Sequence, residues 1–286
     1  MEIREIGQGK IYIEYGPSTI TIAAFDGKTG LTTLCKDSFF ILEKLLTKLS
    51  NDLVHLKQYP AKINRDLLSD IGKRMFDAVT LTANPAMTPM AAVAGSVSDM
   101  LAQWIFEQGA TRVIVNNGGD IALRLAKDEE VTVGILPDLL NPHVSQIFKV
   151  KESDGIGGIA TSGLYGRSFT KGIANSVSVF AKQASIADAM ASHIANTSYL
   201  DSPHVKLKRA GQIDPDSDIA DQDVVVSVAG LTALEKRQAL LQMESEARLL
   251  KNRGLLSFVA AEVDQEVLFY PLPKQDLDKQ FYELPG

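Results

Sequence analysis

The chain has 286 residues, of which 45% are hydrophobic and 22% are charged, and its formal net charge is −6. This length and composition allow a sizeable core, organised as one domain over 1–286 or as two closely packed halves. The negative charge provides no basic surface for nucleic acid or for an anionic membrane, and no apolar run is long enough to span a bilayer, so neither partner is expected.

The N-terminal part is predicted to hold a β-hairpin followed by an amphipathic helix. Two β-branched runs, 11–14 and 19–25, flank Gly16 and Pro17, which is the pattern of two strands joined by a tight turn. Apolar residues recur at three- and four-residue intervals between Ser38 and Lys57, which predicts one helix there. Its inward face is predicted to consist of Phe39, Leu42, Leu45, Leu46, Leu49 and Leu53.

A second helix is predicted to begin among small residues. The segment Pro89-Met-Ala-Ala-Val-Ala-Gly-Ser-Val-Ser-Asp99 allows the backbone to approach a ligand or a neighbouring helix closely. Apolar residues at helical spacing continue the helix, and Gly109 is placed as its C-cap. The buried stripe is predicted to contain Val97, Leu101, Trp104 and Ile105.

Two apolar runs between Arg112 and Leu125 surround the sequence Asn116-Asn-Gly-Gly-Asp120. Asn-Gly between β-branched runs is a strong signal of a hairpin turn, which needs no ligand. A turn is therefore the favoured interpretation of this motif taken alone. Further strands are predicted at 130–136 and 147–151.

A turn rich in glycine and hydroxyls at 158–171 leads through the β-branched run 174–180 into a helix that contains Asp188 and Ser192. Positions four apart share one helix face, so this carboxylate and this hydroxyl point to the same side. Oxygen ligands of this kind suit Mg²⁺, which usually retains waters or phosphate oxygens in its shell. An Ala-rich helix with one Asp and one Ser is also common on protein surfaces, and that explanation is favoured for the pair taken alone.

The last part of the chain is predicted to contain an acidic loop, several strands and one helix. The clustered acids of 212–223 lack the glycine and the terminal glutamate of an EF-hand loop, which favours a solvated loop over a calcium site. Residues 223–229 are predicted to form a buried strand, 234–252 a charged helix ended by Gly254, and 255–270 one or two closing strands.

Four of these segments, in this order, resemble the motifs of the ApbE family of flavin transferases. They are Val93-Ala-Gly-Ser-Val-Ser-Asp99, Asn116-Asn-Gly-Gly-Asp120, Ala160-Thr-Ser-Gly163 and Ala187-Asp-Ala-Met-Ala-Ser192. Four ordered matches are far more specific than any one of them. The resemblance is good over 75–200, and it implies an α+β fold of the ApbE-like, T-fold-like kind, with antiparallel sheets packed against helices.

The chain differs from the transferases after Gly163. The family carries His-Ile-Ile-Asp-Pro-Xaa-Thr-Gly in this region, whereas this chain has only residues 164–173, without a histidine. The chain therefore resembles a branch of the family that lacks this segment, and we do not expect covalent transfer of FMN at the rate of the transferases. Ala94 stands at the family's lysine position and Ser96 at its tyrosine position, whereas Ser192 keeps the hydroxyl of the family's threonine.

Other side chains leave alternatives open. Arg167 and Lys171, in the segment that replaces the histidine-containing one, offer positive charge to a phosphate or carboxylate, or are simply solvated at the surface. The four histidines have no zinc-site spacing, and packing is the favoured role of His193. A serine hydrolase is disfavoured because Thr161-Ser162-Gly163 is not part of a Gly-Xaa-Ser-Xaa-Gly elbow.

The resemblance implies one site shared by the motifs. Its predicted catalytic residues are Asp188, Thr161 and Ser162, and its predicted Mg²⁺ ligands are Asp188 and Ser192. The residues expected to contact FAD, FMN or a related nucleotide are Met90, Ala92, Val93, Gly95, Asn117, Gly118, Gly119, Asp120, Thr161, Ser162 and Gly163.

Two functions stay open at this point. One is a Mg²⁺-dependent transferase or hydrolase that acts on FAD or a related nucleotide or pyrophosphate. The other is a non-catalytic accessory protein that binds a flavin or another small molecule. No secretion signal is recognisable in residues 1–5, so we expect a cytoplasmic protein, and a homo-oligomer is left open.

Overall fold

A computed structural model describes residues 1–135, 146–166, 168–276 and 281–283. Within these ranges the helices are α1 (Thr32–Leu56), α2 (Asp70–Thr80), α3 (Val93–Glu107), α4 (Ala184–Thr197) and α5 (Ala233–Asn252). The strands are β1 (Glu2–Gly7), β2 (Lys10–Tyr15), β3 (Ser18–Asp26), β4 (Thr29–Gly30), β5 (Arg112–Asn117), β6 (Asp120–Leu125), β7 (Glu130–Ile135), β8 (Gln146–Lys151), β9 (Gly158–Ser162), β10 (Ser176–Ala181), β11 (Val205–Arg209), β12 (Asp223–Val228), β13 (Phe258–Val263), β14 (Glu266–Tyr270), β15 (Lys274–Asp276) and β16 (Phe281–Glu283).

One long antiparallel sheet runs through the protein in the order β1-β2-β3-β5-β6-β9-β10-β13-β14, with β4 paired to β3. The pairing of β6 with β9, through Ile121 and Ile159, joins the strands that come before α4 in the first part of the sheet to β9, β10, β13 and β14. Helices α1 to α3 connect β4 to β5, and α4 and α5 lie between β10 and β13 in the chain. The helices that carry the motifs are therefore connections between neighbouring strands of one sheet.

Two hydrophobic clusters fix these helices on the sheet. Side chains of β2 and β3 alternate between the two faces, and Ile11, Ile13, Ile20 and Ile22 are fully buried in one cluster with apolar residues of α1, α2 and α3. A second cluster joins β10 and β13 to α4 and α5. Full burial of one such aliphatic side chain contributes about 1.5–3 kcal/mol, so each helix is held by several of these contacts.

A smaller sheet, in the order β15-β16-β8-β7, contributes to a third cluster with the long sheet. The ring of Phe148 on β8 lies 5.2 Å from that of Phe180 on β10 and 5.1 Å from that of Phe258 on β13. These are typical distances for edge and tilted aromatic packing. The α+β architecture with antiparallel sheets packed against helices is confirmed, while the number of domains stays a prediction.

The local predictions agree with most of the elements. The hairpin around Gly16 and Pro17 is confirmed, because β2 and β3 pair from Tyr15 and Ser18 outwards. Helix α1, however, begins at Thr32 and not at Ser38, since the Thr32 side chain accepts a hydrogen bond from the Gly9 N–H at 2.9 Å and ties the helix start to the β1–β2 turn.

Other predictions need correction. Helix α2 was not predicted, although the Ser69 side chain caps it by accepting a hydrogen bond from the Gly72 N–H. Strand β12 is not fully buried, because within the described residues it pairs with β11 alone in a two-stranded sheet, and Val226 is 46% exposed. The predictions at Leu136, His143 and Arg167 lie outside the described residues.

Candidate functional site

Helix α4 carries Asp188 and Ser192, and its N-terminus is held by a carboxylate from α3. Asp99 is fully buried, and its Oδ1 accepts a hydrogen bond from the Ala184 N–H at 3.0 Å. Its Oδ2 accepts hydrogen bonds from the Ser185 N–H at 2.9 Å and the Ser185 hydroxyl at 2.8 Å. The carboxylate satisfies N–H groups that have no partner within the helix, and its charge is favourable at this end of the helix dipole. The start of α4 is thereby fixed one turn before Asp188.

Two arginines provide the opposite charge to Asp99. Nη2 of Arg124, on β6, lies 3.2 Å from Asp99 Oδ1, and Nη1 of Arg74, on α2, lies 3.5 Å from Asp99 Oδ2. A buried carboxylate requires partners of this kind, because an unpaired buried charge is strongly destabilising. The network connects α2, α3, α4 and β6 behind the site. Sequence reasoning gave Asp99 no role, although it ends the first motif.

Gly95 allows the backbones of α3 and α4 to touch. A Cβ atom at this position would lie 2.3 Å from the carbonyl oxygen of Ala184 and 2.9 Å from Cβ of Asp188. The Gly95 N–H donates a hydrogen bond of 2.9 Å to Asp188 Oδ2. Only glycine fits at this crossing, and its N–H orients the carboxylate.

The β5–β6 hairpin places its turn beside α3. Gly118 and Gly119 form the turn with φ of 68° and 114°, as the Asn-Asn-Gly-Gly-Asp motif predicts. The Asn116 side-chain oxygen accepts a hydrogen bond from the Gly119 N–H at 2.9 Å. The Ser98 hydroxyl of α3 donates to the backbone carbonyl of Asp120 at 2.9 Å. The turn is thus tied to the helix that contacts α4.

Hydroxyl groups line the adjoining strand. The hydroxyls of Thr161, on β9, and Ser178, on β10, are 2.7 Å apart. The hydroxyl of Ser192 donates to that of Ser162 over a longer 3.5 Å. The two predicted catalytic hydroxyls and the predicted metal helix therefore lie side by side.

These segments meet around a cavity of about 530 Å³, which we call the main cavity. Its volume is in the range of sites for small molecules and cofactors. The structure brings the following predicted site residues to its surface: Met90, Val93, Asn117, Gly118, Gly119, Asp120, Thr161, Ser162, Asp188 and Ser192. Their roles in binding and catalysis stay predictions.

Three predicted contact residues do not line the main cavity. Ala92 is fully buried in the first hydrophobic cluster, and Gly95 faces α4. Gly163 packs against the backbone of Asn175. A Cβ atom at position 163 would be 2.4 Å from the Asn175 carbonyl oxygen. The structure therefore shows Ala92, Gly95 and Gly163 in packing contacts outside the wall of the main cavity, and their contact with a ligand stays a prediction.

Part of the cavity wall was missed by sequence reasoning. It consists of apolar side chains from α1 and β7 together with Tyr165, namely Leu46, Leu49, Leu53, Val133, Ile135 and Tyr165. Leu53 was predicted to be buried in the core, but it is 37% exposed because this part of α1 faces the cavity. Periodicity identifies an apolar helix face, but it does not distinguish a core from a cavity wall.

The Asp188 carboxyl has an unusual electrostatic environment. Burial raises its pKa well above the usual range, and the charge of Asp120 raises it further. The hydrogen bond from the Gly95 N–H partly opposes this shift, and the charge of Asp99 adds a smaller increase. The charged form of Asp188 is therefore disfavoured here, and a proton or a bound cation would stabilise this carboxyl group.

The oxygen atoms at this point suit a hard divalent ion. Asp188 and Ser192 lie one turn apart on α4, and both face the cavity together with Asp120. Among the described residues, no three His, Cys, Asp or Glu side chains form a cluster able to hold a metal. An ion here would take its other ligands from backbone, water or substrate oxygens, as Mg²⁺ commonly does.

A second cavity, of about 140 Å³, adjoins the main one, and we call it the small cavity. Both cavities are lined by Met90, Val93, Ala94, Asp120, Ser168, Asp188 and Ser192. Asp218 also faces the small cavity and accepts a hydrogen bond from the Thr88 hydroxyl. The acidic loop that carries Asp218 is therefore not simply solvated, because it closes one side of this cavity.

The described histidines lie outside both cavities. Nε2 of His193 is 3.0 Å from Glu246 Oε1 on α5, and its Nδ1 is 3.3 Å from Asn84 Nδ2. These contacts agree with the predicted packing role. His204 is similarly paired with Glu235, at 3.0 Å from Oε2. Among the ranges that the structure covers, no helix combines the length and apolar character needed to cross a membrane.

Comparison with known proteins gives relatives in sequence and in fold. The UPF0280 protein of Methanococcus vannielii is 38% identical over 161 residues, which cover 54% of this chain and 61% of that protein, less than two thirds of its length. The UPF0280 protein of Methanobrevibacter smithii is 27% identical over 215 residues, covering 71% of this chain and 88% of that protein. The structure of the flavin transferase ApbE from Vibrio cholerae matches 92% of this chain and 96% of its own, with a TM-score of 0.50 and 13% identity, which shows a shared fold.

A family model described as AbpE bacteria matches residues 3–269. This match covers most of the chain and includes all four motifs of the predicted site. The chain therefore belongs to the AbpE bacteria family, and the resemblance to ApbE-like proteins is confirmed.

Proposed function

We propose that the protein binds a flavin nucleotide, FAD or FMN, in the main cavity, together with Mg²⁺ held by Asp188 and Ser192. The observation that carries the proposal is the convergence of all four motif segments on one cavity of about 530 Å³. The name of the Vibrio cholerae protein, which shares the fold, supports a flavin as the ligand.

The walls of the main cavity fit the two chemical parts of such a ligand. Leu46, Leu49 and Val97 offer apolar surface to a ring system, as is usual in cofactor sites. Asp120 and Asp188 offer carboxylate oxygens, which cannot bind phosphate directly because both groups are anionic. A divalent cation between carboxylate and phosphate resolves that repulsion, and the raised pKa of Asp188 indicates that burial disfavours the charged form of this carboxyl group unless a cation binds to it.

The chain's own residues would bind and orient the ligand. Mg²⁺, when bound, supplies neutralisation of phosphate charge and polarises the bond to be broken. Asp188 would be fixed for this by the Gly95 N–H, and Ser192 would add a neutral oxygen from the next turn of α4. The hydroxyls of Thr161 and Ser162, on β9, line the same cavity and would contact the same phosphates.

A non-catalytic flavin-binding protein is the second candidate. It is favoured by the segment 164–173, which has no histidine, and by the described histidines, which lie outside both cavities. Such a protein would keep the cavity and the metal site without breaking the pyrophosphate bond of FAD.

Two assays test these candidates. Purified protein is titrated with FAD and FMN while flavin fluorescence is followed, and micromolar or tighter binding is expected. The same protein is then incubated with FAD, Mg²⁺ and an acceptor peptide of a flavin transferase and examined by mass spectrometry. We expect no rapid flavin addition to the peptide, and release of FMN and AMP would distinguish a hydrolase from the non-catalytic protein. Lack of any flavin binding would refute the proposal.

A further inference from the structure

We infer that Lys171 binds a phosphoryl group in the small cavity, next to Asp188 and Ser192. The inference rests on the proposed function, because it assigns the end of the ligand at which the phosphate is held. It also names a residue that the shared motifs do not include.

The distribution of charge around the two cavities points to Lys171. Among the described residues that line the main cavity, there is no lysine, arginine or histidine, and the charged side chains are Asp120 and Asp188. In the small cavity, Lys171 is the one cationic side chain among the described residues. Among the described residues, Lys171 is therefore the cation that a phosphate-bearing ligand spanning the junction would meet.

Lys171 is held in place both at its backbone and at its ammonium group. Its backbone N–H donates to Asn196 Oδ1 of α4 at 2.8 Å, and its Nζ donates to Gln222 Oε1 at 2.8 Å. Gln222 is itself fixed, because its Nε2 donates to the Ala86 carbonyl at 3.0 Å and to the Tyr59 hydroxyl at 3.1 Å. An ammonium group has three donors, and Gln222 uses one of them. The remaining donors of a preoriented cation are suited to phosphate oxygens.

The chain after Lys171 packs against the end of α4. A Cβ atom on Gly172 would lie 1.7 Å from the carbonyl oxygen of Ala195, and the N–H groups of Ile173 and Ala174 donate to the Ser198 hydroxyl at 2.8 and 3.0 Å. The helix that carries Asp188 and the segment that carries Lys171 are therefore fixed to one another.

Burial lowers the pKa of Lys171, and the charge of Asp221 partly opposes this shift. The ammonium is thus poorly solvated, which makes a bound anion favourable. Ala94, which lines both cavities, stands where the resemblance places a lysine. Lys171 supplies a positive charge to the same space from another part of the chain.

The carboxylates of the small cavity determine when an anion can bind. Asp218 keeps its negative charge, because its Thr88 partner is a neutral hydroxyl, and it repels phosphate as an ionised Asp188 does. A divalent ion at Asp188 would offset this repulsion. Phosphoryl binding at Lys171 is therefore expected to require Mg²⁺. The small volume, about 140 Å³, suits one phosphoryl group and not a nucleotide.

The test compares ligands with and without phosphate. Calorimetry in the presence of Mg²⁺ measures riboflavin, FMN and pyrophosphate binding to wild type, Lys171→Met and Lys171→Gln. The control is Lys208→Met, which alters an exposed lysine on β11 that lines neither cavity. We expect about tenfold or greater weakening of FMN and pyrophosphate binding in both Lys171 variants, because a hydrogen bond to a charged group contributes about 1.5–3 kcal/mol. Riboflavin binding should be unchanged, which also shows that the variants are folded.

The ligands separate this inference from the proposed function. Pyrophosphate binding that depends on Lys171, without FMN binding, would support the inference and refute the flavin proposal. FMN binding at wild-type strength in both Lys171 variants would overturn the inference and leave the flavin proposal intact. A wild-type protein that binds neither FMN nor pyrophosphate would overturn both.

Discussion

Replacement of Asp99 by alanine should destabilise the N-terminus of α4, the helix that carries Asp188, without removing any group that lines the cavities. The variant loses three hydrogen bonds to the N-terminus of α4 and leaves Arg124, whose side chain is only 17% exposed, without its carboxylate. Removal of one partner from a buried ion pair costs about 3–5 kcal/mol, and we expect a loss of free energy of unfolding in that range. This is a large part of the roughly 5–15 kcal/mol that stabilises a typical domain.

The assay is thermal and urea unfolding with a matched control. At about 2–4 °C per kcal/mol for a domain of this size class, Asp99→Ala should lower Tm by roughly 6–20 °C. The control, Asp77→Ala, breaks the ion pair between Asp77 and Arg65, whose two side chains are 50% and 44% exposed. It should lower the free energy of unfolding by only about 0–1 kcal/mol. The folded Asp99→Ala protein should also bind Mg²⁺ and flavin more weakly, because Asp188 follows one turn after the unrestrained helix start.

The result that would refute this reasoning is specific. If the free energies of unfolding of Asp99→Ala and Asp77→Ala differ by less than about 1 kcal/mol, Asp99 does not anchor α4, and its hydrogen bonds contribute little net stability.

Three further predictions concern Gly95 on α3 and Asp188 and Ser192 on α4. Gly95→Ala should lower the free energy of unfolding by about 1–3 kcal/mol, because the added Cβ forces the Ala184 carbonyl away. A variant with both the Tm and the Mg²⁺ affinity of wild type would contradict this prediction. In the metal-free protein, folding raises the pKa of Asp188, so the folded state binds the proton of this carboxyl group more tightly than the unfolded chain does. This proton binding stabilises the folded state fully below about pH 4, the pKa of an aspartate in an unfolded chain. The stabilisation is lost as the pH rises through the raised pKa of the folded state. Asp188→Asn should therefore lose less stability than wild type between pH 4 and pH 8 in chelator, and equal pH slopes in urea unfolding would count against the buried charge. Ser192→Ala should weaken Mg²⁺ binding by about 1 kcal/mol and Ser192→Thr should not, as calorimetry can establish, because only the hydroxyl is needed.

Much of the fold could be predicted where the signal is local. Asn116 to Asp120 form the predicted hairpin turn, because turn residues between β-branched runs determine backbone conformation over a few positions. The helix with Asp188 and Ser192 was also predicted, and four ordered motifs were enough to indicate the family. In each case the signal lies within one segment or in the order of segments.

The remaining features depend on contacts between distant segments. Asp99 caps a helix that begins 85 positions further along the chain, and no periodicity reveals this pairing. Glycine is required at position 95 because Ala184, from a distant part of the sequence, lies against it. Leu53 has the spacing of a core residue but faces a cavity, because α1 and β7 approach the motifs from other parts of the fold. Small cavities such as the one at Lys171 likewise arise from three or more segments that the sequence keeps apart.

The central claim, a flavin nucleotide bound with Mg²⁺ at Asp188, is tested most directly by FAD titration of wild type and Asp188→Asn, each with Mg²⁺ and with chelator. Asparagine keeps the size of the side chain and can still accept the Gly95 N–H, but it removes the negative charge that would hold the cation. We predict that Mg²⁺ strengthens FAD binding to wild type by tenfold or more, about 1.4 kcal/mol, and has no effect on the variant. An equal Mg²⁺ effect in both proteins, or no FAD binding to wild type under either condition, would contradict the account.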